Sequence, residues 1–243
     1  MEDELLMHTL HTLPSSVKKF WRKRYDIFSK YDEGIYMTSE LWYSITPECT
    51  AKFTAKLMKE LLDNHLNKDE YKVIDLCCGG GGNTIQFAKE FERVIAIDIN
   101  PINVRCTLHN AAIYNVEDKI EPITGDWNEI HQQFHNIDFI YCSPPWGGPS
   151  YKVKGEKFDV YTMEPLNLDR LISSIIPITR NMAFCLPRNT NLEQLKELSE
   201  IYSLGLRVIK VKEYGRVISL VVIFGDIAQV KFQYNSDLQS DLQ

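Results

Sequence analysis

The chain has 243 residues, 44% of them apolar and 25% charged, with a net charge of −6 at neutral pH. That length suits one domain with a short extension, burying about 70–75% of its unfolded surface; the acid excess excludes a broad basic surface for nucleic acid but not a local basic patch. The longest apolar run, Val217–Phe224, contains Ser219 and falls far short of the roughly 20 residues of a membrane span, and the opening MEDELLMHTL lacks the basic start of a signal peptide, so neither membrane insertion nor secretion is expected.

Residues 1–13 show no strong period. Over 16–31 a helix is predicted: Val17, Phe20, Trp21, Ile27, Phe28 and Tyr31 fall on one face, and Lys18, Lys19, Arg22 and Lys23 opposite. Arg24 projects into the apolar side, so it must snorkel or find a partner. Gly34 is the expected stop. Thr46 as N-cap, with Pro47 at the first helical position, predicts a second helix to about Asn64.

From Lys72 the pattern becomes regular. Apolar runs at 72–77, 93–98, 119–124, 137–142, 180–186, 207–212 and 217–224 read as strands. Amphipathic segments at 84–91, 101–114, 127–135, 167–176 and 191–202 read as helices between them. The alternation implies an α/β fold with a seven-stranded, mostly parallel sheet covered on both faces. The last two strands, joined through Glu213–Arg216 without a helix, imply an antiparallel hairpin. The expected organisation is a helical extension over 1–65, an α/β domain over 66–234 and a loose polar tail over 235–243. None of the six cysteines (Cys49, Cys77, Cys78, Cys106, Cys142, Cys185) forms a C-x-x-C pair, and adjacent Cys77 and Cys78 read as buried thiols of a reducing compartment. His131 and His135 lack a nearby third ligand and read as a surface helix, so no metal is expected.

The strand ends carry the chemistry. The first runs into VIDLCCGGGGNT, with four glycines, Gly79–Gly82, that let backbone approach a ligand. The pattern Asp75-x-x-x-Gly79-x-Gly81 is not a phosphate-cradling P-loop, and an acid ahead of the glycines suits a ligand with a positive end. Asp98 ends the second strand, where a carboxylate can accept ribose hydroxyls. Asp126 follows the third, placed to accept from an adenine amine, and Trp127 offers a flat wall. Together these describe an adenosine with a cationic tail, S-adenosylmethionine. Singly each has a plainer reading: Asp98 as a helix cap ahead of Pro101, Asp126 as a turn residue. The fourth strand ends in IYCSPPWGGPSY, whose S-P-P-aromatic run resembles the amino-methyltransferases that act on exocyclic base amines; in that resemblance Ser143 Oγ and the Pro144 carbonyl can accept the two N–H bonds of the amine and Trp146 can stack on the base.

The segments YDEGIYMTSELWYSITPE (31–48), DLCCGGGGNTIQFA (75–88), SPPWGGPSY (143–151) and FCLPRNTN (184–191), in that order, resemble the trimethylguanosine synthases, the RNA cap guanine-N2 methyltransferase family, from about Lys18 to Gly225. The resemblance implies a Rossmann-like class I methyltransferase fold. It implies S-adenosylmethionine as methyl donor, no metal, and N2 methylation of the 7-methylguanosine cap of small nuclear and nucleolar RNAs to 2,2,7-trimethylguanosine. It further implies a nuclear, nucleolar location and partner proteins in RNA–protein particles. Carried over, Trp146 stacks on the 7-methylguanine with Ser143 and Pro144 at its N2, Asn110 touches the base, and Lys19, Tyr151 and Arg188 hold the cap phosphates. Thr46, Asp75, Gly79, Gly81, Asp98, Asp126 and Trp127 hold the cofactor, and Glu40 and Phe28 match family positions in the extension.

The basic face Lys18, Lys19, Arg22 and Lys23 fits a triphosphate bridge, its four charges being too few for a long RNA track; its plainer reading is a solvated helix face. The loop Lys152–Met163 is a candidate lid. Two rivals stay open: an amino-methyltransferase for internal bases, which needs a wider track or base flipping, and a non-catalytic cap-binding module.

Overall fold

The computed structural model describes residues 6–147, 157–213 and 215–231. A seven-stranded sheet has the order β3-β2-β1-β4-β5-β7-β6. The strands are β1 Lys72–Leu76, β2 Arg93–Asp98, β3 Ile120–Thr124, β4 Phe139–Cys142, β5 Met182–Pro187, β6 Leu206–Glu213 and β7 Arg216–Phe224. β1 to β5 run parallel, and β7 lies antiparallel between β5 and β6. Every expected strand is present, each end within two residues of its expected place.

The helices are α1 Arg24–Ile27, α2 Leu41–Ser44, α3 Glu48–Leu66, α4 Gly82–Glu90, α5 Pro101–Ile113, α6 Trp127–Ile130, α7 Leu168–Ile175 and α8 Leu192–Ile201. Side chains alternate across each strand, so the sheet feeds two cores. Val73, Phe139 and Val221 join Phe87, Leu57, Trp42, Phe28 and Leu13 on one face. Ile74, Ile97, Phe184 and Val222 join Trp127 and Leu171 on the other. The N-terminal residues therefore share a core with α3 and α4. Strand order reverses between β1 and β4, which opens a crevice at their C-terminal ends.

Three local expectations are corrected. The segment 16–31 is not one helix but a 3₁₀ turn, Lys18–Lys23, then the single turn α1, ending where Phe28 becomes extended. Tertiary bonds take over there: Glu48 accepts from the Ser29 backbone N–H (2.7 Å) and hydroxyl (3.1 Å), and Lys30 Nζ donates to the Ile113 carbonyl (3.0 Å). Thr46 is not the cap of α3. Pro47 occupies that position, and Thr46 Oγ1 instead accepts from Asn83 Nδ2 at 3.1 Å, joining the start of α3 to α4. Cys78 is buried, but Cys77 is only half-buried. Arg24 resolves as the pattern required: it donates to the Trp21 carbonyl and the Tyr25 hydroxyl and lies over both rings.

Candidate active site

A cavity of about 510 Å³ opens at the C-terminal ends of β1, β2 and β4. Its floor is the glycine loop, one wall is the Asp98, Asp126 and Trp127 strand ends, another is Ser143–Trp146, and the extension closes it with Lys19, Phe20, Glu40, Leu41 and Tyr43–Thr46.

The loop is tied to β2 by Asp98. Its Oδ2 accepts from the Gly79 N–H (2.9 Å), and its Oδ1 from the Asn100 N–H (2.9 Å) and Asn103 Nδ2 (3.2 Å). The cap of α5 is Asn100, whose side chain accepts from the Ile102 N–H, with Pro101 at the first position. The capping explanation of Asp98 is thereby removed, and its carboxylate lines the cavity. A carboxylate has about four acceptor sites, so roughly one is left. Asp126 does cap α6: Oδ1 accepts from the Asn128 N–H and side chain, while Oδ2 has no hydrogen bond among the described residues. Trp127 donates to Ser174 Oγ (2.8 Å) and stacks on Phe134, so this wall is fixed from behind.

Asp75 lies behind the loop and does not line the cavity. It is fully buried; Oδ2 accepts from Thr84 Oγ1 at 2.5 Å, and Oδ1 has no hydrogen-bond partner among the described residues. Burial pushes its carboxyl up to about 7, the Thr84 bond opposing and the Asp98 charge adding. Gly81 also turns from the cavity: at φ +87 it packs on α5, where a Cβ would come within 3.2 Å of Thr107 Cα. Asn110, expected at the base, is a correction too. It is 0% exposed and does not line the cavity. Its Oδ1 accepts from the Tyr36 N–H (2.8 Å), and its Nδ2 donates to the Tyr36 (2.9 Å) and Gly80 (2.8 Å) carbonyls. Phe28 is in the core against Tyr114, away from the site, whereas Glu40 lines the cavity.

On the acceptor side, the Ser143 N–H reaches the Leu76 carbonyl at 3.4 Å, which extends the β1–β4 ladder one residue past the strand. The half-buried Trp146 donates Nε1–H to the Cys185 carbonyl on β5 at 3.0 Å and lines the same cavity as Asp98. Lys19 is exposed at the rim, 5.1 Å from the centre of the Phe20 ring. Arg188, just past β5, does not line the cavity; it donates to the Val217 carbonyl at 3.4 Å. Tyr151 lies outside the described residues, as do residues 152–156 of the candidate lid. The described end of that loop is fastened elsewhere, with the Phe158 N–H on the Asn189 carbonyl.

Sequence reasoning missed the apolar cover of the glycine loop. A Cβ at Gly80 would meet Leu41 Cδ1 at 3.0 Å, and one at Gly82 would meet Ile45 Cγ1 at 2.9 Å. The glycines make room for the protein's own extension as well as for a ligand. Two apolar residues some 35 positions upstream give no sequence signal of that crossing. The Tyr36–His109 stack (3.5 Å between centroids, 6° between planes) and the His109 Nε2 contact to the Gly34 carbonyl (2.8 Å) were equally silent.

The family of RNA cap guanine-N2 methyltransferases matches residues 70–227. Trimethylguanosine synthase of Saccharomyces cerevisiae is 37% identical over 221 residues, covering 86% of this chain and 67% of that protein. Trimethylguanosine synthase of Schizosaccharomyces pombe is 37% identical over 215 residues, covering 83% and 84%. Among solved structures, a putative methyltransferase from Porphyromonas gingivalis superposes with a TM-score of 0.66 at 18% identity, over 86% of this chain and 48% of that one. The human methyltransferase 10 domain containing protein gives 0.60 at 16% identity, over 85% and 97%. These two show the fold, a class I methyltransferase. With S-adenosylmethionine the methyl donor of that class, and with the match spanning both the glycine loop and the Ser143–Trp146 turn, the chain belongs to the RNA cap guanine-N2 methyltransferase family.

Proposed function

We propose that this chain methylates the exocyclic N2 of the 7-methylguanosine cap of small nuclear and nucleolar RNAs, giving 2,2,7-trimethylguanosine. The observation that carries the reading is the meeting of Trp146 and the Ser143–Pro144 corner with Asp98, Asp126 and the glycine loop in one cavity. In this reading residues 1–65 supply one wall of the site and 66–234 the rest. The work is nuclear, with a nucleolar address for the nucleolar RNAs, and the proteins of the RNA–protein particles are its neighbours.

The cavity fits the donor. The spare acceptor site of Asp98 takes one ribose hydroxyl, and the longest of its bonds, from Asn103, is the one a second hydroxyl would displace. Asp126 Oδ2 accepts from the adenine amine, with Trp127 beside the ring and Thr46 and Gly79 bounding the tail. Asp75, with one oxygen unpaired, sits where a cation beyond the loop restores its ionised form. When bound, S-adenosylmethionine supplies an electrophilic methyl group on a sulfonium. The protein's part is positioning. Ser143 Oγ and the Pro144 carbonyl accept the two N–H bonds of the amine and orient its lone pair, and Trp146 holds the base plane. Lys19, at the rim, meets the phosphate bridge together with Tyr151, whereas Arg188, bonded to the Val217 carbonyl outside the cavity, is left out of it. The amine proton leaves to water, so Ser143 orients and does not act as a base.

The test uses the chain, the cofactor and either a 7-methylated or an unmethylated cap dinucleotide, with product masses as readout. Methylation of the 7-methylated cap and of free 7-methylguanosine diphosphate is expected. Transfer to internal bases alone overturns the reading in favour of the internal-base enzyme, and binding without transfer in favour of the cap-binding module.

A further inference from the structure

The basic face of the Lys18–Lys23 turn divides in two. Lys19 and Phe20 border the cavity, but Lys23 does not; it lines a separate open cleft of about 340 Å³ with Glu213, Arg216 and Ile218. In a 3₁₀ helix residues i and i+3 eclipse and each residue rises about 2 Å, so Lys23 stands on the Phe20 strip, roughly 6 Å from it along the turn. Arg216 opens β7, paired in register with Glu213 across the hairpin. The Arg188 bond to the Val217 carbonyl places that guanidinium at the same end of β7.

We propose that this cleft binds backbone phosphates of the RNA immediately downstream of the cap, through Lys23 and Arg216. The inference rests on the capped-RNA reading and extends it past the phosphate bridge. The turn itself carries no acid, and Lys18, Lys19, Arg22, Lys23 and Arg216 are all exposed. Among the described residues the one ion pair they make is Lys23 Nζ to Glu213 at 3.9 Å, so that carboxylate offsets part of one cation and Arg216 makes no ion pair. On a chain of net charge −6, such a gathering of cations, joined to the cavity's Lys19 and Phe20 by a single short turn, selects for a polyanion. The cleft has one apolar wall residue, Ile218, and is open, which suits a solvated backbone held by charge and not an enclosed small molecule. The four-charge count that argued against an RNA track lacked Arg216, which the hairpin brings to the turn. The track is short, a matter of a few phosphates.

The test compares Lys23→Gln, Arg216→Gln and the double variant with the unaltered chain on two acceptors, a 7-methylated cap dinucleotide and a short capped oligonucleotide. Both residues are exposed, and unchanged melting curves confirm folding. The unaltered chain is expected to show a lower KM for the oligonucleotide, and the double variant to lose that advantage while its dinucleotide kinetics stay the same. Each single-strand phosphate contact contributes about 0.7 to the salt slope, so the double variant's slope for oligonucleotide binding should be shallower by about 1.4, about sevenfold in affinity across a fourfold rise in salt. Equal KM for both acceptors in the unaltered chain overturns the proposal, and so does an equal loss on both in the variants. An acidic peptide that displaces nothing but is itself released by the substitutions, with oligonucleotide binding unaffected, overturns it in favour of a protein partner. Binding of the uncapped oligonucleotide, followed by fluorescence anisotropy, needs no methyl transfer. If the cap is not the acceptor, that binding still reports on Lys23 and Arg216 separately.

Discussion

At the residue scale the cap preference turns on Trp146. N7 methylation makes guanine cationic, and a cation over an indole gains about 0.5–2 kcal/mol. At 1.4 kcal/mol per decade the ring alone yields at most about thirtyfold selectivity. Trp146→Ala should therefore lower the ratio of kcat/KM for methylated over unmethylated cap by up to about thirtyfold; an unchanged ratio with lower turnover would remove stacking as the source. Asp75 gives a pH prediction. Its carboxyl is raised from 3.8 to about 7 by folding, so between about 4 and 7 the native state holds the extra proton. Stability contributed by Asp75 is thus highest at low pH and is lost as pH rises through about 7. Urea midpoints should fall over that window, and Asp75→Asn should flatten the fall. The sequence shows why Asp98 was legible as a cavity residue and Asp75 was not. Both stand at the sheet's ligand-binding end, but position along a strand gives proximity, while the direction of a side chain depends on what packs around it. Asp75 points to Thr84, behind the loop.

At the element scale, the extension and the glycine loop act as one unit. Asn110 bonds the Tyr36 backbone with one side of its amide and the Gly80 carbonyl with the other, beside the His109–Tyr36 stack. Asn110→Ala should cost about 1–3 kcal/mol for the buried groups it strands. It should also raise the KM for the methyl donor more than it lowers kcat, because it loosens the loop without touching the acceptor. Steady-state kinetics varied in each substrate separate the two effects. The strands were readable because buried parallel strands are near-continuous apolar runs. The 16–31 segment was misread because its aromatic and basic residues satisfy a helical period, while Glu48 and Tyr114, distant in sequence, bind Ser29 and Lys30 and end the helix early. Asn110 was misassigned for a related reason: the segment it clamps lies some 75 residues upstream.

At the scale of the whole molecule, charge is unevenly spread: an acidic chain presents basic side chains at the cavity rim, Lys19, and in the separate cleft, Lys23 and Arg216. Electrostatic steering raises association rates by about tenfold or more and fades with ionic strength. The kcat/KM for capped RNA should fall with added salt more steeply than kcat, and stopped-flow binding should place the loss in the on-rate. Leu41 and Ile45 bear a different consequence. They rest on Gly79, Gly80 and Gly82 and, with their neighbours Glu40 and Ser44, line the cavity. A ligand on either side of that crossing settles the same backbone. Linkage then demands reciprocity: whatever factor one substrate lends to the affinity of the other is returned unchanged. Calorimetric titrations run in both orders would give one coupling constant, and trimming Leu41 to alanine would shrink it toward unity from both directions at once.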